Sequence, residues 1–132
     1  MASFRSPVRL FRRAALLAIL TCTSVQSAAA TWVEVGVATN GVKALVDTDT
    51  IAAKSGRVQV QQRFVLPAGA TGRIAYVDQR VVYSCRSGTV QTLKSTEFDA
   101  AGRVLRQEGP QQNPVYKVLE GTLPRYILEA LC

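Results

Sequence analysis

The sequence contains no histidine. That takes away the commonest general base and the commonest metal ligand, and with them any Ser-His-Asp or Cys-His nucleophile arrangement. No glycine-rich phosphate loop occurs; Gly69, Gly72 and Gly88 fall in separate turn signals. Aromatic residues are scarce, and Trp32, Tyr76, Tyr83 and Tyr116 are expected in the core rather than on a ligand platform. Long apolar runs are also missing. A membrane-spanning helix needs roughly 18 apolar residues, and the run Ala14–Leu20 is soon interrupted by polar Thr21, Thr23, Ser24 and Gln26. No permanent membrane anchor is expected.

That short run fits an export signal instead. Arg5, Arg9, Arg12 and Arg13 make the first stretch cationic, Ala14–Leu20 supplies the apolar centre, and Ala28-Ala29-Ala30 matches an A-x-A cleavage pattern. Residues 1–30 are therefore expected to be a cleaved signal peptide, with the cut between Ala30 and Thr31 and the mature domain over 31–132. Phe11 and Ala14 are a poor context for twin-arginine export through Arg12-Arg13. Leu20-Thr21 is likewise a poor lipobox ahead of Cys22.

Removing the signal resets the charge. The chain holds 16 Lys and Arg against 9 Asp and Glu; four arginines and no acids precede Thr31, leaving 12 against 9 and lowering the formal charge from +7 to +3. So small an excess gives no nucleic-acid footprint. A single domain of this size buries only a thin core, which a covalent staple would help. Cys85 and Cys132 survive cleavage, and an even pair in an exported chain reads as a disulfide, two free thiols being the alternative.

Beyond Thr31 the pattern is one of short strands and turns: Thr31–Ala38, Val42–Asp47, Arg57–Leu66, Ile74–Cys85, Thr89–Asp99 and Arg103–Gln107. Asn40-Gly41 is a hairpin signal between the first two, and Thr48–Gly56 reads as turning chain. Along Arg57–Leu66, Val58, Val60, Phe64 and Leu66 point one way, while Arg57, Gln59, Gln61 and Arg63 point the other. Period-two alternation of this kind belongs to a sheet with one wetted side. Val115–Leu119 can form a short extended piece. Then the period changes. Thr122 is placed as a helix cap, Pro124 suits a first turn, and Leu123, Ile127 and Leu131 make an apolar stripe that wants a sheet to lie on. The fold class expected is α+β: a single antiparallel β-sheet of about six strands with one C-terminal helix packed on it, stapled by a Cys85–Cys132 disulfide.

Little chemistry is on offer. Asp47-Thr48-Asp49 is a close acidic pair, but a calcium loop needs further oxygens and a distal Glu; a turn in which Asp side chains bond the local backbone is the plainer reading. Glu97 and Asp99 lie on one strand face and resemble a glycosidase pair, yet same-face carboxylates usually mark a solvated surface. No catalytic residue, metal or cofactor is expected, and the protein is not expected to be an enzyme. Arg57, Arg63, Arg73, Arg80 and Arg86 can gather on the wetted face beside Gln59, Gln61 and Gln79. Of these, Arg57, Arg63 and Arg80 are the candidate partner-binding face, with ordinary solubilising surface as the plainer alternative.

Several pieces recur in a telling order: Trp32 at the head of the mature domain, Val46-Asp47-Thr48-Asp49-Thr50-Ile51, Arg57-Val58-Gln59-Val60 after a glycine turn, Tyr83-Ser84-Cys85, Phe98-Asp99-Ala100-Ala101-Gly102-Arg103-Val104, and the terminal Cys132. Together they resemble the surface-adhesin protein E family, small exported proteins of Gram-negative bacteria, over nearly all of residues 31–132. The resemblance implies a sheet-plus-helix fold bridged by the two cysteines. It also implies adhesion to host extracellular-matrix or plasma proteins. The expected function is a non-enzymatic exported binding domain with a protein partner, in the periplasm or at the cell surface of a Gram-negative bacterium. The alternative is a periplasmic accessory module that binds another envelope protein or a small ligand.

Overall fold

The computed structural model describes residues 29–70, 72–109 and 114–132; residues 1–28 of the expected export signal lie outside the described residues. The elements run β1 (Trp32–Val37), β2 (Lys43–Lys54), β3 (Arg57–Val65), β4 (Tyr76–Ser84), β5 (Thr89–Phe98), β6 (Val104–Glu108), β7 (Val115–Lys117) and α1 (Leu123–Leu131). Strands β1 to β6 form an antiparallel meander in chain order, and the short β7 also pairs with β5. Helix α1 packs on β1 and β2. The sequence-derived architecture is thus the observed one, with β7 as a seventh strand.

Local chemistry explains the path. Gly41 adopts φ +87 in the first hairpin, and Asn40 Oδ1 accepts from the Val42 backbone nitrogen at 3.1 Å. The next turn is tighter than expected. Ser55 and Gly56 both take positive φ, 52 and 74, which is the two-residue primed-turn geometry that matches strand twist. Strand β2 therefore continues to Lys54 instead of turning at Thr48. Residues Thr48–Ile51 form a bulge, so the register jumps from Asp47 opposite Gln61 to Ala52 opposite Gln59. Thr50 holds the bulge: its hydroxyl donates to the Asp47 carbonyl and accepts from the Gln61 backbone nitrogen, both at 2.8 Å.

One face of the sheet carries the core. Ala44, Val46, Val60, Val81 and Tyr83 pack with Val118, Ile127 and Leu128, and Leu123 and Leu131 flank them. Burying Ile127 and Leu128 contributes about 1.5–3 kcal/mol each, more than helix propensity supplies to nine residues. The Tyr126 ring faces Gly36 of β1 so closely that a Cβ there would come within 3.4 Å of it.

Side-chain placement corrects further expectations. Gln62 sits on the core face, 2% exposed, between Val60 and Phe64. It is tolerated there because Tyr83 Oη donates to its Oε1 and its Nε2 donates to Gln79 Oε1 at 2.9 Å. Gln79 consequently shares the core face and does not stand beside the arginines. Tyr116, expected in the core, is 63% exposed on the peripheral β7, and Trp32 and Tyr76, expected there too, lie on the opposite face against the Arg63 guanidinium.

Cys85, in the turn after β4, is bonded to Cys132 at the C-cap of α1, with Cα atoms 5.7 Å apart. Closing this 47-residue separation stabilises the fold by roughly 4 kcal/mol in the chain-entropy picture. Thr122 has the extended backbone of an N-cap, yet its hydroxyl donates to the Leu119 carbonyl at 2.6 Å rather than to the helix.

Candidate binding face

Strand alternation puts Arg57, Gln59, Gln61 and Arg63 of β3 on the face opposite α1. The register then brings β4 residues Ser84, Arg80 and Asp78 beside Arg57, Gln61 and Arg63. On the far side of β4, Lys94 stands opposite Arg80, Thr96 opposite Asp78, and Phe98 opposite Tyr76. Lys54 of β2 pairs with Arg57. No described helix or strand is layered over this face.

The three candidate arginines have different fates there. Arg63 is built into the fold. Its guanidinium lies 4.2 Å from the Trp32 ring centroid and 4.4 Å from that of Tyr76, while Nε and Nη2 donate to the two Asp78 oxygens at 2.6 and 2.8 Å. The hydrogen bond to Asp78 raises the arginine's pKa further above its ordinary value, against the opposing effect of burial. Tyr76 stacks on Phe98 with ring centroids 4.7 Å apart, which extends the arrangement to β5. Arg57 and Arg80 are exposed. Neither they nor Lys54 and Lys94 form an ion pair among the described residues. Arg73 lies in the loop before β4 and Arg86 in the turn after it, so neither belongs to this face.

Hollows mark the same surface. One of about 210 Å³ is lined by Gln61, Asp78, Arg80, Lys94, Thr96 and Gln107, among others. A wider one of about 590 Å³ lies between Ala52, Lys54, Arg57, Gln59 and Val82. The first is polar and cationic; the second has an apolar floor.

One carboxylate of each acidic pair, Asp47 and Asp99, serves the backbone. Asp47 Oδ1 accepts from the backbone nitrogens of Thr31 and Asp49, both at 3.1 Å, inside the β2 bulge. Asp99 lies beyond the end of β5 and accepts from the nitrogens of Ala101 and Arg103, at 3.0 and 2.9 Å, and from Arg103 Nε at 2.8 Å. Those bonds, the Arg103 backbone nitrogen foremost, hold its carboxyl below the usual range. Glu97 stands opposite Arg106 and Val77. The cavity beside Arg80 includes neither Glu97 nor Asp99. Among the described residues no group of three or more Cys, Asp and Glu is arranged to hold a metal ion, and no helix is long and apolar enough to cross a membrane.

Lys54 and Lys94 also stand on this candidate face, though no pattern in the sequence marks them. Lys54 falls in Thr48–Gly56, whose residues carry turn signals although β2 runs through them. Lys94 directly follows a bulge at Leu93, since Arg80 pairs with Lys94 but Val81 pairs with Thr92.

The chain is thus a single antiparallel sheet with a disulfide-pinned helix packed on one face and a cationic opposite face that no described helix or strand covers. The profile of the surface-adhesin protein E family matches residues 32–132, and the chain belongs to that family. Membership makes it an adhesin-like protein of an exported or cell-surface kind. No curated protein and no solved structure matches the chain.

Proposed function

We propose that this protein is exported with cleavage between Ala30 and Thr31 and acts non-enzymatically as an adhesin. On this reading the helix-free face docks a host extracellular-matrix or plasma protein. The observation that carries it is the group Lys54, Arg57, Arg80 and Lys94: four cations on one uncovered face, with no ion pair among the described residues, in a domain whose formal charge is only +3. Opposite charge on a partner steers encounter and fixes register more than it adds affinity. The hollow floored by Ala52 and Val82 offers the apolar contact that charge alone does not.

Protease shaving of intact cells tests the location, because an adhesin must be reachable from outside. Loss of the protein from shaved cells, together with capture of matrix or plasma protein by purified residues 31–132, is the expected result. Full protection inside the periplasm would favour the accessory-module reading instead.

A further inference from the structure

Across the uncovered face one row of side chains runs Gln61, Arg80, Lys94 on β3, β4 and β5, each directly opposite the next. Like charges set opposite one another on adjacent strands are destabilising unless something neutralises them. Nothing within the described chain does. The acid that lines the adjoining cavity is Asp78, and both its oxygens are taken by Arg63, itself held between Trp32 and Tyr76. The bulge just past Arg80 fixes this arrangement, for it shifts the β4–β5 register between Arg80 and Val81. Around the two cations stand the amides of Gln61 and Gln107 and the buried Thr96, which can donate hydrogen bonds. The cavity, about 210 Å³, is the size of a small side-chain group rather than a drug-like ligand.

Resting on the docking-face reading above, we infer that this notch is a carboxylate subsite. It takes an Asp or Glu side chain from an acidic segment of the partner protein. Arg80 receives the carboxylate through its guanidinium fork, Lys94 adds the second charge, and the glutamine amides complete the shell. An acidic protein segment fits better than a polyanionic nucleic acid or glycan. Two cations and neutral amides balance one or two carboxylates, and a domain of formal +3 has no broad cationic field to attract a polymer.

The test is a nuclear magnetic resonance titration of labelled residues 31–132 with hexaglutamate, following the arginine Nε–H and Thr96 amide signals. The expected result is saturable movement of the Arg80 Nε–H and Thr96 signals. Affinity should fall about tenfold or more in Arg80→Gln and in Lys94→Gln, as loss of a charged hydrogen bond implies, and stay unchanged in Arg73→Gln. Unchanged amide spectra elsewhere show that each variant is folded. Inorganic phosphate or a sulfated oligosaccharide binding the notch more tightly than hexaglutamate would overturn the carboxylate assignment. No response at Arg80 to any anion would overturn the subsite itself. The adhesin reading fails separately, when residues 31–132 bind no matrix or plasma protein.

Discussion

The backbone nitrogen of Thr31 donates to Asp47 Oδ1 at 3.1 Å, and the Thr31 hydroxyl donates to Asp49 Oδ2 at 2.9 Å. In turn the Thr48 nitrogen donates to the Thr31 carbonyl at 3.0 Å. The start of β1 is thus tied to the β2 bulge through the acidic pair that sequence alone offered as a weak calcium candidate. Asp47 is 5% exposed, so its bonds are made in poor contact with water. Replacing it by alanine leaves the Thr31 and Asp49 nitrogens without an acceptor. An Asp47→Ala protein is expected to lose about 1–3 kcal/mol in urea unfolding.

The same geometry makes the proposed cleavage matter to stability. A cut after Ala30 turns the Thr31 nitrogen into an ammonium facing two carboxylates, with Arg63 as the nearby cation on β3. Thr31 is exposed, so the added ion pair is worth only about 0.2–1 kcal/mol. A chain beginning at Thr31 should melt roughly 1–5 °C above one that keeps Ala29-Ala30, and acetylating its amine should abolish the difference. Equal melting temperatures would show that the amine is not engaged.

Tyr83 and Gln62 form a buried pair whose worth depends on completeness. Tyr83→Phe removes the donor to Gln62 Oε1 and should cost about 1–3 kcal/mol. Adding Gln62→Leu should recover part of that loss, because the orphaned amide goes too. Thermal melts of the single and double variants decide it. Burial also raises the Tyr83 pKa above its ordinary value near 10. A raised acid contributes stability that is full below about pH 10 and declines as pH climbs toward the folded-state value. Tyr83→Phe should flatten that alkaline decline.

Asp99 works at the other end of the scale. Its carboxyl is held low by bonds to the Ala101 and Arg103 nitrogens and to the Arg103 side chain. Its contribution is therefore present above the ordinary Asp range near pH 3.9 and lost as pH falls through the lower folded-state value. An Asp99→Asn protein should show a shallower acid limb when unfolding is followed from pH 5 downward.

Reducing the Cys85–Cys132 bond should remove roughly 4 kcal/mol and loosen α1 first, because the helix end is pinned there. Hydrogen exchange should show faster opening of Ile127 and Leu128 than of Val60 and Val81.

Much of this fold was legible because period-two alternation and the Leu123, Ile127, Leu131 stripe report local geometry directly. The face of Val58 and Val60 followed from it, as did the opposite face of Arg57 and Gln59. Gln62 broke the pattern because its justification, Tyr83, lies 21 residues away on the neighbouring strand. The length of β2 was missed because Thr50 stitches a bulge to Gln61, which no turn signal announces. Arg63 read as a free cation because its partners Trp32, Asp78 and Tyr76 come from two other strands. Charge spacing names the arginines of a face. Only the register says which of them the protein has already used.

The central claim is that the uncovered sheet face binds a protein through its uncompensated cations. Surface plasmon resonance of residues 31–132 over immobilised matrix and plasma proteins tests it most directly, with Arg57→Gln/Arg80→Gln run beside the native chain. Saturable binding at micromolar concentration or below, weakened by added salt and about tenfold or more by the double substitution, is the predicted result. Binding that the double variant retains in full, or no saturable binding to any of these proteins, would contradict it.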